Sequence, residues 1–223
     1  MHDLTKTRAR SALVNPATMW LAAAFAFFIC EAIAAASVSA LHPYSYTKNF
    51  ISELGVPGRT PLAVVMNVGF WLQGLLFLGG AILAARQSAT GHRRLFVGLA
   101  GLNALGDVLV ATFHGNALAL GNNGAAALHW YGALFGIIGG NAAVITGSKV
   151  VAGLVTARWY RRVSVILGVA GILSLLIIGN PTAQLHPGIW ERGSVYSILL
   201  WQVLSATLLL AQRRTDTVRR VAR

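Results

Sequence analysis

Asp107, His114, His129 and His186 have the residue types that could hold a metal or move a proton. Asn103, Asp107 and His114 are spaced i, i+4, i+11, which predicts one helical face, with Asp107 and His114 about 10 Å apart along its axis. His129 opens the next apolar run, so the two histidines should come close. Together the four residues offer nitrogen and oxygen ligands to a zinc-like divalent metal, whose bound water would be a hydrolytic nucleophile. No HxxxH or HExxH spacing accompanies them. The other reading of Asp107 is a buried hydrogen bond, or an ion pair with Arg59, Arg192 or a histidine. Ser52 and Glu53 could act as nucleophile and acid or base, but a nucleophilic serine needs a base in reach. No GxSxG elbow is present, so Ser52 reads first as a cap or loop hydrogen-bonder.

Glu31 lies inside an apolar run, an expensive position that predicts a partner or a function. Asn67 or an arginine could pair with it, or it could form a proton relay with Asp107. Glu191 and Arg192 are placed to pair with Glu53 or Arg59.

The elements that must position these groups are membrane helices. Of the 223 residues 56% are hydrophobic and 11% charged, where soluble domains carry about 25% charged residues. A bilayer core needs roughly 20 apolar residues per helix, and six stretches fit: 18–40, 62–85, 95–116, 128–148, 160–179 and 194–211. Connectors such as 42–61, 121–124 and 180–193 carry Pro and Gly and read as loops. Within the first, Ser52-Glu53 and its apolar flanks predict a short interfacial helix. The fold expected is all-α: a six-helix transmembrane domain over 18–211, a basic segment over 1–17 and a basic tail over 212–223.

Charge sets the orientation. The stretches 6–10, 86–94, 149–162 and 213–223 hold 15 of the 18 basic residues. All fall on one side, and the positive-inside rule makes that side cytoplasmic, with both termini inside. The net charge of +12 therefore belongs to topology and anionic lipid, and no nucleic-acid partner is expected. Trp20 and Trp159 near inner ends, and Trp130 and Trp190 near outer ends, fit interfacial belts. The basic start, the first apolar run and Val38-Ser39-Ala40 also resemble a signal peptide, yet the run is too long and contains Glu31. Cys30 is the single cysteine, which leaves no disulfide framework.

On this orientation His42, His114, His129, His186, Glu53 and Glu191 gather on the outer side. The leading functional expectation is a cell-membrane protein that binds a lipid or partner in an outward-opening polar pocket, using Glu31, Asn67, Asn103, Glu191 and Arg192. The alternatives are a metal-dependent hydrolase or lipid-modifying enzyme built on Asp107 and the histidines, and a small proton-coupled transporter built on Glu31 and Asp107. Gly132, Gly136 and Gly140 form a small-residue stripe, for packing within the bundle or as a homodimer face.

Several short motifs occur in a telling order. Tyr44-Ser45 and Ile51-Ser52-Glu53-Leu54-Gly55 follow the first helix, and Asn67 begins the second. His129 opens the fourth, and Trp190-Glu191-Arg192-Gly193 precedes the sixth, which holds Trp201. This pattern resembles the domain of unknown function 998 family of bacterial six-helix membrane proteins over nearly the whole chain. The resemblance implies a matching Ser52, Glu53, Gly55, His129, Glu191 and Arg192, and an architecture without an activity. Where the family pattern has a proline after the third-helix phenylalanine, this chain has His114.

Overall fold

A computed structural model describes residues 15–39, 43–114, 124–180 and 185–221, with side chains to 215. Among them are six α-helices, all long and apolar enough to cross a membrane: α1 (Pro16–Ala36), α2 (Ala63–Gln87), α3 (Arg93–Thr112), α4 (Gly124–Ala152), α5 (Tyr160–Ile178) and α6 (Pro187–Val221). No strand occurs among the described residues. This is the architecture of a multi-pass membrane protein. Large apolar side chains such as Phe25, Ile29, Ile166 and Leu176 point outward, a surface that lipid covers without cost and water does not.

Sequential helices pack side by side, and α6 closes the ring against α1. A short 3-10 helix (Ile51–Gly55) caps one end, touching α1, α2, α3 and α6. We call this the loop end; the arginine-rich opposite end is the basic end. Ile51 and Leu54 are fully buried beneath the cap, which places the interfacial helix expected at Ser52-Glu53.

Four helix starts lie upstream of their expected positions, and two of them share one reason. Proline lacks the N–H that a first helical residue leaves unused, and its φ already suits a helix. Pro16 therefore starts α1, where the Asn15 side chain accepts from the backbone N–H of Ala17 and Thr18. Pro187 likewise starts α6. Residues 187–193, expected as loop, are thus two helical turns, and Glu191 and Arg192 stand on a rigid element. Ala40, in the signal-like motif, and most of the basic N-terminal segment lie outside the described residues.

The interior divides into two halves. Toward the basic end it is aromatic: Trp201 stacks within 5.1 Å of Trp20 and about 6 Å of Phe77 and Phe96. Trp20 is fully buried there, its indole N–H donating to the Phe77 carbonyl at 3.2 Å. The interfacial reading of Trp20 is thereby corrected; Trp130 and Trp159 do face outward.

The α3–α4 seam is the tightest. A Cβ on Gly106 would stand 2.1 Å from the Gly136 backbone nitrogen and 2.5 Å from the Gly132 carbonyl oxygen. Gly140 lies under Ile198 of α6 and beside Asn103. The glycine stripe is used within the chain: Gly132, Gly136 and Gly140 pack against α3 and α6.

Candidate functional site

At the loop end the polar residues assemble into a clasp and two adjoining cavities. The clasp centres on Arg192, which the helical start of α6 turns into the bundle. Its Nη2 and Nε donate to Glu31 Oε1 of α1 at 2.7 and 3.1 Å. Its Nη1 donates to the carbonyls of Tyr46, Asn49 and Gly188 at 2.6, 3.1 and 3.2 Å, and Nη2 also reaches the Tyr44 hydroxyl. The Tyr46 ring lies 4.7 Å from the guanidinium carbon. Tyr196 donates to the other Glu31 oxygen at 2.8 Å. The loop approaches this closely because position 188 is glycine: a Cβ there would meet the Asn49 carbonyl at 2.4 Å. Burial pushes the Tyr44 phenol up, more than Arg192 pulls it down, so it stays protonated at neutral pH.

Glu31 thus finds an arginine, one of its expected kinds of partner. Glu191 and Arg192, expected to pair with Glu53 or Arg59, do otherwise. Glu191 accepts the Ile51 backbone N–H. Glu53 pairs with Arg59 at 3.0 Å and accepts from the Asn49 amide and the Phe50 N–H. Glu53 therefore shapes the loop and is poorly free to act as an acid or base. Asn67 donates to the Gly55 carbonyl at 3.0 Å and lies 3.0 Å from His114 Nε2, tying the cap to α2 and to the residue after α3.

The first cavity, about 70 Å³, is a groove between the cap, α4 and the loop end of α5. Leu134, Ile137, Leu175 and Ile178 give it an apolar wall, and Ser52, Glu53, His129 and Glu191 a polar end. The His129 ring is fixed because Nδ1 meets the Phe113 carbonyl at 2.7 Å. A carbonyl only accepts, so Nδ1 carries the proton and Nε2 is left as an acceptor.

The second cavity, about 30 Å³, lies deeper and shares Ser52, Ala133, Ile137 and Glu191 with the groove. It adds Gln73, Asn103 and Asp107. Asn103 and Asp107 do share a face of α3, but His114 falls beyond the helix end and turns to Asn67. Asp107 meets neither Arg59 nor Arg192, both engaged with glutamates. Its Oδ2 is buried without a hydrogen-bond partner. The Asn103 amide donates to the Gly136 carbonyl at 2.8 Å, leaving its own oxygen unpartnered.

The metal set is not brought together. Among the described residues no three His, Cys, Asp or Glu side chains are grouped to hold an ion. His114 serves Asn67, His129 serves the Phe113 carbonyl, His186 is exposed before α6, and Asp107 lies deeper in the bundle; His42 lies outside the described residues. The relay also loses a member, because Glu31 is held by Arg192 and does not line the cavity around Asp107.

Sequence reasoning missed Tyr196, Gln73 and Gln202. Gln73 and Gln202 join α2 to α6 through a buried 3.0 Å amide bond. The available signal was an amide inside an apolar run, where an unpaired polar group is costly.

The model of a family described as "Protein of unknown function (DUF998)" matches residues 16–208. No curated protein and no solved structure matches the chain.

Proposed function

The chain belongs to the DUF998 family, which brings no activity with it, and we propose that it binds a membrane lipid in the groove between the cap, α4 and α5. In this reading it sits in the cell membrane with its basic end and both termini in the cytoplasm and its loop end outside, an orientation the charge asymmetry supports. The groove would then take a lipid of the outer leaflet.

The observation that carries the proposal is the two-part lining of that groove. Leu134, Ile137, Leu175 and Ile178 suit an acyl chain, and Ser52, His129 and Glu191 meet it at one end. An acyl chain gains little by exchanging lipid neighbours for leucine, since the two are equally apolar. Selectivity must come from the polar end, where each hydrogen bond contributes about 0.5–1.5 kcal/mol and one to a charged group about 1.5–3 kcal/mol. His129 and the Ser52 hydroxyl line that end of the groove and can meet a headgroup. α5 is the least buried helix, so lipid reaches the groove from the side.

Native mass spectrometry of the mildly extracted chain tests this. Wild type should retain lipid, and Leu175→Trp, which fills the groove from its α5 wall, should retain at least about fivefold less, the loss of roughly one such polar contact, with its melting temperature little changed. Lipid-free wild type, or equal retention by the variant, removes the proposal.

A further inference from the structure

The inner cavity beside Asp107 is lined by side-chain oxygens that have no hydrogen-bond partner among the described residues. Asp107 is nine-tenths buried and its Oδ2 has no partner. Asn103, 2% exposed, presents an unpartnered oxygen into the same space. Behind the lining residue Gln73, Gln202 donates to the Gln73 oxygen and keeps its own oxygen unsatisfied. The Asn103 and Gln202 amide nitrogens donate to the Gly136 carbonyl and to the Gln73 oxygen.

The charge balance points the same way. Both titratable groups lining the cavity, Asp107 and Glu191, are carboxylates. The nearby bases are committed elsewhere: Arg192 to Glu31 and Arg59 to Glu53. α2 and α4 close over the carboxylate as bare backbone. A Cβ on Gly74 would lie 3.1 Å from Asp107 Oδ2 and one on Gly136 3.2 Å from Oδ1. A buried carboxylate with neither donor nor counter-ion is unfavourable in any low-dielectric interior. What fits is a small positive group that oxygens alone can satisfy, as hard cations and ammonium groups are.

We propose that this chamber is a binding site for a monovalent cation, supplied either as an alkali ion or as the primary ammonium head of an amphiphile seated in the adjoining groove. Its volume of about 30 Å³ admits about two water-sized groups, enough for a sodium ion with one water or for an ammonium group. Ser52 and Glu191, common to both cavities, form the passage between them. The ammonium arm rests on the lipid reading above; the alkali arm does not.

The test is the melting temperature of the detergent-purified full chain, wild type beside the near-isosteric Asp107→Asn. Sodium chloride replaces N-methylglucamine chloride at constant ionic strength. In parallel, micelles carry phosphatidylethanolamine or its quaternary analogue phosphatidylcholine. A saturating ligand should raise the wild-type midpoint by roughly 5 °C, and Asp107→Asn should lose that response. A rise with sodium identifies the inorganic ion. A rise with the primary amine alone, abolished also by Leu175→Trp, identifies the lipid head. If Leu175→Trp keeps its lipid while Asp107→Asn loses the sodium response, the groove reading falls and the cation site stands. Should Asp107→Asn fail to fold, ²³Na line broadening on wild type, reversed by excess lithium, reads the alkali arm directly. No response to either cation in folded wild type, or an unchanged response in Asp107→Asn, overturns the proposal.

Discussion

Replacing Arg192 with alanine should destabilise the folded chain by about 3–5 kcal/mol, the range for stripping one partner from a buried ion pair. Both members are buried, with 9% and 2% of their side chains exposed. Truncation leaves Glu31 with Tyr196 alone and strips donors from the carbonyls of Tyr46, Asn49 and Gly188. Two effects should therefore appear together: a lower midpoint in chemical unfolding, and cleavage of the loop around 43–50 by added protease. The double replacement Glu31→Leu with Arg192→Leu separates them. It removes the abandoned carboxylate and should recover much of the stability, because buried pairs exchange for apolar residues with little loss. The loop should stay cleavable, since its donors are still missing. An Arg192→Ala variant that unfolds like wild type and resists protease would show that the clasp holds nothing.

Gly106→Leu should prevent the bundle from packing. Overpacking a core usually costs about 1–3 kcal/mol because side chains yield. Here the obstacle is the backbone of α4, at Gly136 nitrogen and the Gly132 carbonyl, which can yield only if α3 and α4 separate. Separation would break the Asn103 bond to the Gly136 carbonyl and open the Asp107 chamber. The variant should elute from size-exclusion chromatography as aggregate. Gly98→Leu supplies the contrast: on the same helix a Cβ at Gly98 meets nothing within 4 Å, so its midpoint should stay within about 0.5 kcal/mol of wild type. Equal behaviour of the two variants would refute the seam.

The sequence makes the six helices readable because each apolar run is long enough to need no tertiary information. It also makes the cap readable, since Ser52-Glu53 sits between apolar residues in a polar connector. The seam was half-readable: Gly132, Gly136 and Gly140 announce a close approach but not to which helix, and Gly106 shows its meaning only when opposed to Gly136. The clasp was less accessible, because Glu31 and Arg192 are 161 positions apart and any outer-side arginine would have satisfied the argument. The prolines misled in the second loop. Pro187 is equally a loop marker and a first helical residue, and the choice decided whether Arg192 stood in solvent or in the bundle. The histidines misled through composition alone: sharing an end of the molecule is a weak condition, and His114 and His129 answer a local amide and a local carbonyl.

The separation of Glu31 from Arg192 also bears on how the chain is made. Synthesis runs from the N-terminus, so α1 carries its carboxylate into the membrane with four helices still to come before α6 arrives with the counter-charge. Glu31 stands in the last two turns of α1, so its insertion costs less than the roughly 2.5–3.5 kcal/mol of an acidic residue at mid-helix, and α1 bears that cost through most of biogenesis. A nascent chain stopped after α5 would have every helix but the last and an orphaned glutamate. Quality-control proteases and insertion chaperones that probe for uncompensated intramembrane charge should engage such a chain and release it once residue 192 has entered. The clasp would then double as a mark of completion, with Glu31→Leu prolonging the lifetime of the truncated chain in a pulse-chase experiment.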